Sequence, residues 1–171
     1  MTLKSSLLQP VMAALFLTAV LSACEKVDSH RLPPANVNLT FNTVGDWNIY
    51  GVSGAGQSKE FIKSKRIPAD YPYKISEYTG FGGILLVADP YGEYHAYDLA
   101  CPVEKKPDIT VAFDTESPTA GIVRCAECGS TYDLYSQGTP VSGEALKLKY
   151  GLERYQVFVG SPTPPYAVVR R

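Results

Sequence analysis

The chain has 171 residues, a formal net charge of −1 and 45% hydrophobic residues, values typical of a folded protein rather than a disordered one. The sequence contains no basic run and no basic amphipathic helix, so its charge pattern gives no support to a nucleic-acid partner. It carries only two histidines and lacks a Gly-rich phosphate loop, a G-x-S-x-G elbow and an H-E-x-x-H motif, which argues against the common hydrolases and nucleotide-binding enzymes.

The first 24 residues resemble a bacterial lipoprotein signal. Lys4 provides a positive start, residues 7–21 form an apolar run shorter than the ~20 residues that span a bilayer, and the run ends in Leu-Ser-Ala-Cys. In such signals the peptidase cuts before the cysteine, which then carries the lipid. The resemblance predicts a signal peptide over residues 1–23, lipidation of Cys24, and a protein held at a membrane of the cell envelope, on its periplasmic or surface side. The alternative is an ordinary signal peptide or a buried helix with Cys24 as a plain thiol.

A polar segment follows the predicted lipid-bearing cysteine. Residues 25–36 include Pro33 and Pro34 and show no periodicity, which is typical of a flexible or extended tether. His30 lies in this segment, where we expect a solvated linker residue rather than a metal ligand. Residues 24–36 are therefore predicted to hold a folded domain away from the membrane.

Residues 37–171 are long enough for one domain with its own core, and their pattern is β. Most of the apolar and aromatic runs are short and are separated by Gly- and Pro-containing turns, which favours an all-β sandwich or barrel. Residues 58–65 could form two helical turns, and residues 143–149 are ambiguous. The predicted strands fall at residues 37–41, 47–53, 73–76, 82–88, 93–97, 152–160 and 167–170.

Three cysteines remain if Cys24 carries lipid. Cys101, Cys125 and Cys128 lie in loops beside predicted strands, and an odd number of free thiols is a liability in an oxidising compartment. Thiolates bind soft and borderline metal ions, and a C-x-x-C turn allows two sulfurs to converge on one ion. A third sulfur from another loop would leave the site one ligand short of a closed tetrahedral centre.

The loops that carry these cysteines resemble the cluster loops of Rieske iron–sulfur domains. Residues 82–102 are similar to the hairpin that leads into the first loop, and residues 124–147 are similar to the second loop and the strands after it. The similarity extends from Gly82 to the C terminus. It implies a small all-β fold in which two loops hold a [2Fe–2S] cluster at the tip.

The ligand pattern departs from that family. Rieske loops supply one cysteine each to the first iron and one histidine each to the second. Cys101 and Cys125 match the cysteine positions, whereas Cys128 and Val103 stand where the histidines belong. The places that hold a disulfide in many Rieske loops carry other residues, Lys106 and Glu127.

The sequence "GSTY" after Cys128 keeps the family pattern. By resemblance, the Ser130 hydroxyl would bond a bridging sulfide and the Tyr132 hydroxyl would bond a cysteine sulfur, and such donors raise the potential of a cluster. The missing fourth ligand has one nearby candidate, Glu104, whose alternative is a solvated loop charge. His95, in a predicted strand, is a weaker candidate.

The sequence leaves four alternatives for what occupies the site. They are a modified [2Fe–2S] cluster for one-electron transfer, a structural zinc ion, an oxidised or redox-active thiol pair, and a metal-free module. The sequence favours a membrane-anchored Rieske-like electron-transfer module with a [2Fe–2S] cluster and an unidentified redox protein as partner. The main alternative is a structural zinc or metal-free binding module of the envelope, and no catalytic residue is predicted.

Overall fold

The computed structural model describes residues 26–171, so the predicted signal peptide and Cys24 lie outside the described residues. Within this range no helix is long and apolar enough to cross a membrane. The elements are β1 (Val37–Phe41), α1 (Val44–Tyr50), β2 (Ser58–Phe61), a 3-10 turn (Lys63–Lys65), β3 (Tyr78–Thr79), β4 (Ile84–Ala88), β5 (Tyr94–Asp98), β6 (Val111–Phe113), β7 (Ile122–Cys125), β8 (Thr131–Asp133), β9 (Thr139–Ser142), α2 (Gly143–Leu148), β10 (Arg154–Val159) and β11 (Ala167–Arg170).

The strands form two antiparallel sheets, which confirms the all-β prediction. The larger sheet has the order β2-β4-β5-β10-β11-β1-β3, and the smaller sheet has the order β6-β7-β8-β9. All neighbouring strands of the smaller sheet are consecutive in sequence, as in a meander. The segment between β5 and β10 therefore builds the smaller sheet as an insertion, and both cysteine loops belong to this segment.

Strand β4 separates two hydrophobic cores. All of its residues are buried, and their side chains alternate between the cores because successive residues of a strand point to opposite faces. Ile84, Leu86 and Ala88 contribute to one core, and Leu85 and Val87 to the other. The continuous apolar run in the sequence is thus a strand covered on both faces.

The first core, which we call the aromatic core, lies against the larger sheet. Its centre is Phe41, whose ring meets those of Trp47, Phe61 and Tyr71 edge-to-face at 5.1, 5.9 and 5.8 Å. Edge-to-face pairs add to the energy of burying aromatic area. This core contains no cysteine.

The second core, which we call the cysteine core, lies between the two sheets. It contains Cys101 and Cys125 together with apolar residues of β4, β5, β7 and β8. The Tyr97 hydroxyl crosses this core and donates a hydrogen bond of 2.5 Å to the Leu134 carbonyl oxygen. The cysteines are thus part of the packing that joins the two sheets.

Two predicted strands are wrong. Residues 47–53 fall mostly in α1, because Thr43 and Asp46 form a capping box and Trp47 is buried on the inner face of the helix. Residues 73–76 form no strand: residues 75 and 76 lie in a turn, which the Glu77 N–H closes by donating to the Lys74 carbonyl oxygen at 3.2 Å.

The structure shows a strand in the first of the two helix candidates and a helix in the second. Residues 58–61 are strand β2, which pairs with β4, so tertiary pairing overrides the local helical pattern in the first candidate. The second candidate, residues 143–149, forms α2.

The described part of the predicted tether is docked on the domain. Asp28 forms a parallel bridge with Tyr150, and its N–H donates to the Lys149 carbonyl oxygen at 2.8 Å. The Arg31 guanidinium lies 4.2 Å from the centre of the Tyr150 ring, and Leu32 is buried. Residues 28–32 are therefore part of the folded unit rather than a free spacer, and only the residues nearest Cys24 are left for the predicted tether.

His30 is exposed, as predicted for a solvated linker residue, but its ring has a partner. Its Nδ1 lies 3.2 Å from Oε1 of the buried Glu153, which also binds Arg171 at 3.0 Å. The contact adds a polar link to the docked segment.

Candidate metal centre

Three cysteine sulfurs from two loops meet in one place. The Sγ atoms of Cys101, Cys125 and Cys128 all lie within 4.8 Å of one another, and the Cys101 and Cys128 sulfurs are 3.6 Å apart. All three cysteines are free thiols. Cys101 and Cys125 are fully buried, while Cys128 is half-buried, so the group opens to solvent on the Cys128 side.

The larger sheet fixes the start of the Cys101 loop. The buried Asp98 carboxylate at the end of β5 accepts hydrogen bonds from the N–H groups of Gly82 and Ala100, both at 2.8 Å. It also accepts the Tyr155 hydroxyl at 2.5 Å. A carboxylate with this many donors is a rigid support, and Cys101 follows it by three residues.

The smaller sheet fixes Cys125. This residue ends β7 and is paired in register with Val111 of β6. The N–H of Cys101 donates to the Ile109 carbonyl oxygen at 2.9 Å, two residues before that strand position. Cys101 and Cys125 therefore lie close together, because both form backbone contacts with the chain at the start of β6.

Backbone N–H groups oppose the effect of burial on two of the thiols. Burial raises the pKa of Cys101 and of Cys125, and the backbone N–H groups of the two residues before the end of each loop turn, Val103 and Glu104 for Cys101 and Glu127 and Cys128 for Cys125, lower it. Such donors stabilise negative charge on sulfur, whether as a free thiolate or as a metal ligand.

Two hydroxyl groups complete the surroundings. Tyr132 Oη lies 3.6 Å from the Cys101 sulfur, and burial raises the pKa of Tyr132, so its proton stays available for donation. The Ser130 hydroxyl and N–H act against the effect of burial and lower the pKa of Cys128. Ser130 Oγ also accepts the Ala145 N–H of α2 at 3.1 Å.

The three thiols differ in acidity. Burial raises the pKa of Cys101 to about 12 and also raises the pKa of Cys125 above its ordinary value. Burial also acts on Cys128, but the hydrogen bonds from Ser130 and the neighbouring thiols outweigh it and lower the pKa of Cys128. The first negative charge in the group therefore develops on Cys128, at its open side.

The weaker ligand candidates from the sequence stand outside this group. Among residues 26–171, the ligand group around the three sulfurs includes no carboxylate and no imidazole. Glu104 is half-buried in the Cys101 loop, and its carboxylate is not part of the group formed by the three sulfurs. His95 lies on β5, where its Nε2 is 3.3 Å from Asp89 Oδ2.

A second group of ligand atoms was not predicted. Side-chain atoms of Asp89, Glu93 and His95 lie within 4.8 Å of one another around the β4–β5 turn. Asp89 Oδ1 accepts the N–H groups of Tyr91 and Glu93, both at 2.8 Å, which accounts for its burial as a turn-forming residue. In the sequence, Asp89 and His95 lie on the two sides of a short hairpin, and this spacing could have been used to predict that their side chains meet.

The donor set can be compared with a Rieske-type [2Fe–2S] cluster. Three sulfurs are present, but Val103 stands at a ligand position and cannot bind iron. In the Rieske pattern Cys101 and Cys128 would serve different irons, at opposite ends of the cluster, yet their sulfurs are only 3.6 Å apart. The arrangement therefore fits a metal bound by three close thiolates and does not fit the cluster in its usual Rieske geometry.

Comparisons with known proteins leave the family open. No family model matches the chain, and no curated protein matches it. Among solved structures, one similar chain is described as an NADH-dependent nitrite reductase small subunit from Mycobacterium tuberculosis, with 14% identity and a TM-score of 0.39 over 81% of this chain and 97% of that chain. A likeness at this level is too weak to assign a function here.

Proposed function

We propose that this protein is an electron-transfer module of the cell envelope whose redox centre is iron held by Cys101, Cys125 and Cys128. The observation that carries the proposal is the convergence of three sulfurs, from loops far apart in sequence, within 4.8 Å. Three thiols this close repel one another once ionised, and a bound cation removes that cost.

Iron held by Cys101, Cys125 and Cys128 would supply a one-electron couple, and the protein would then carry one electron from a reduced protein partner to an oxidised one, with no bond formed or broken. The Rieske resemblance implies a [2Fe–2S] cluster as this centre, whereas the sulfur spacing favours fewer metal ions. Both forms use the same three cysteines and both contain iron.

The residues around the sulfurs are suited to a redox role. The Tyr132 hydroxyl and the backbone N–H groups donate to sulfur, and these hydrogen bonds strengthen when an added electron increases the negative charge on the sulfurs. Burial of Cys101 and Cys125 limits access of water, while the half-buried Cys128 is the most exposed of the three cysteines.

The main alternative is a structural zinc site or a metal-free binding module. The fully buried Cys101 and Cys125 favour a structural ion, because zinc bound by thiolates contributes directly to folding. In that case the cysteine core would be held together by the ion and no electron transfer would take place.

The test is to purify the full-length chain anaerobically in detergent and measure iron, zinc, acid-labile sulfide and the absorption spectrum. A coloured protein that contains iron and undergoes reversible one-electron reduction is the expected result. A colourless protein with one zinc ion, or with no metal and a Cys125–Cys128 disulfide, would reject the electron-transfer proposal.

The membrane anchor is a separate part of the proposal. Cys24 precedes Asp28 by only four residues, and a chain extends by at most ~3.6 Å per residue. Because Asp28 is bonded to the domain, a lipid on Cys24 would hold the domain within about 15 Å of the membrane surface. Cys24→Ala is expected to leave an unprocessed, unlipidated precursor; normal acylation of this variant would reject the anchor.

A further inference from the structure

Two turns around the sulfurs share one backbone geometry. In the Cys101 turn (residues 101–105) the Cys101 carbonyl accepts the Lys105 N–H at 2.9 Å, and in the Cys125 turn (residues 125–129) the Cys125 carbonyl accepts the Gly129 N–H at 2.9 Å. The last residue of each turn is left-handed, with φ of 55° for Lys105 and 68° for Gly129. A lysine rarely adopts this conformation, so the surrounding structure imposes the turn.

The two turns share these features in the same order. In each turn the first residue is a cysteine whose carbonyl oxygen accepts the N–H of the fifth residue, and the fifth residue is left-handed. The turns therefore correspond position by position, so that Cys101 matches Cys125 and Glu104 matches Cys128. The side chain at the fourth position of the Cys125 turn reaches the sulfur group, so the same backbone position in the Cys101 turn is suited to supply a fourth donor.

The sulfur spacing indicates how many ions such a pair of turns can hold. Two sulfurs bound to one tetrahedral ion at ~2.3 Å are about 3.8 Å apart. The Cys101 and Cys128 sulfurs are 3.6 Å apart, and all three sulfurs lie within 4.8 Å. Sulfurs bound to different irons of a cluster would be farther apart than this, because both irons would lie between them.

We infer that the two turns hold a single, nearly tetrahedral metal ion, with thiolates from Cys101, Cys125 and Cys128 and the carboxylate of Glu104 as the fourth donor. This inference rests on the metal site of the proposed function and specifies its donor set. The half-buried Glu104 lies outside the sulfur group in the structure, so its flexible side chain would turn toward the sulfurs to act as the fourth donor. Three thiolates and one carboxylate suit borderline ions such as Fe²⁺, Zn²⁺ and Co²⁺.

The experiment uses the full-length chain in detergent under anaerobic, reducing conditions, with Co²⁺ as an optical probe. All variants carry His95→Ala, which removes a ligand from the Asp89–Glu93–His95 group and restricts the signal to the cysteines. Glu104→Gln tests the carboxylate, Glu104→Cys offers a fourth thiolate, and Asp108→Asn is the matched control because Asp108 is an exposed carboxylate of the same loop.

One Co²⁺ per chain with a tetrahedral spectrum is expected. Glu104→Gln should weaken Co²⁺ binding more than about tenfold, since loss of an outer-sphere partner alone costs at least that much. Glu104→Cys should tighten binding and increase the sulfur-to-cobalt charge-transfer absorption by about one third, because four thiolates replace three. Asp108→Asn should bind as the parent does.

Two results would overturn the inference. Equal Co²⁺ affinity in Glu104→Gln and Asp108→Asn, with no added absorption in Glu104→Cys, would remove Glu104 from the donor set. Two irons and two sulfides per chain in the anaerobically purified protein would replace the single ion by a cluster while leaving the electron-transfer proposal intact. Conversely, one zinc ion with no redox activity would reject electron transfer and support the single-ion site.

Discussion

The two cores of this protein are built for different tasks. The aromatic core is filled by rings such as Phe41 and Trp47, which stabilise the larger sheet through buried area and edge-to-face contact. The cysteine core joins the two sheets and includes the buried thiols of Cys101 and Cys125, with the half-buried Cys128 packed against it. If these thiols serve the proposed metal ion, substitutions in the cysteine core should change metal binding and substitutions in the aromatic core should change stability. The following substitutions test that division.

The largest effect is expected at the sulfurs. Cys125→Ser should abolish metal binding, because a hydroxyl is a poor donor to soft and borderline ions and only two thiolates remain. Metal content of the purified variant measures this, and Ser117→Ala, in the loop between β6 and β7, serves as a control. Full occupancy in Cys125→Ser would mean that the two loops do not share one ion.

Phe41→Ala should have the largest effect on the aromatic core. Removing a fully buried ring is expected to lower the free energy of unfolding by about 3–5 kcal/mol. Chemical denaturation measures the loss, and metal content per folded chain should not change. If metal content fell in proportion, the two cores would not be independent.

Asp98 lies at the boundary between the cores and supports the Cys101 loop. Tyr155→Phe removes the hydroxyl that donates to its carboxylate, and we expect a loss of about 1.5–3 kcal/mol in unfolding free energy, as for a buried hydrogen bond to a charged group. Tyr166→Phe is a control at a tyrosine outside this contact. Equal unfolding free energies for Tyr155→Phe and Tyr166→Phe would show that the hydrogen bond from Tyr155 to Asp98 does not stabilise the fold.

The docked N-terminal segment gives a smaller effect. Leu32→Ala removes a buried side chain from residues 28–32 and should release this segment without unfolding either core. Hydrogen exchange of the Asp28 amide, which donates to Lys149, should become markedly faster. Unchanged protection of Asp28 would mean that the backbone bridge alone holds the segment.

The smallest effect concerns the potential of an iron-loaded centre. Tyr132→Phe removes a hydroxyl that donates to the Cys101 sulfur, and the loss of ~1 kcal/mol from the reduced state corresponds to a decrease on the order of tens of millivolts for a one-electron couple. Redox titration measures the shift. An unchanged or raised potential would show that the hydroxyl does not favour the reduced state.

Local pattern was sufficient for much of the fold. The strands at residues 37–41, 82–88 and 167–170 follow from alternation or from apolar runs bounded by turns, and these signals act within a few residues. The grouping of Cys101 with the C-x-x-C turn was also predictable, because an odd set of loop thiols suggests a shared partner. Residues 47–53 were misread because their aromatic content favours a strand, whereas the cap at Thr43 and the burial of Trp47 favour a helix.

What the sequence determined by itself is the kind of chemistry available: an all-β domain, three thiols, and hydroxyl groups beside them. Tertiary structure alone decided that β4 is covered on both faces, that residues 28–32 dock against Tyr150, and that Glu104 and Cys128 occupy equivalent positions. The reason is that periodicity and turn signals depend on neighbours along the chain, while convergence of loops depends on sheet pairing between segments distant in sequence. The spacing of the three sulfurs, on which the number of bound ions depends, is therefore decided by tertiary structure.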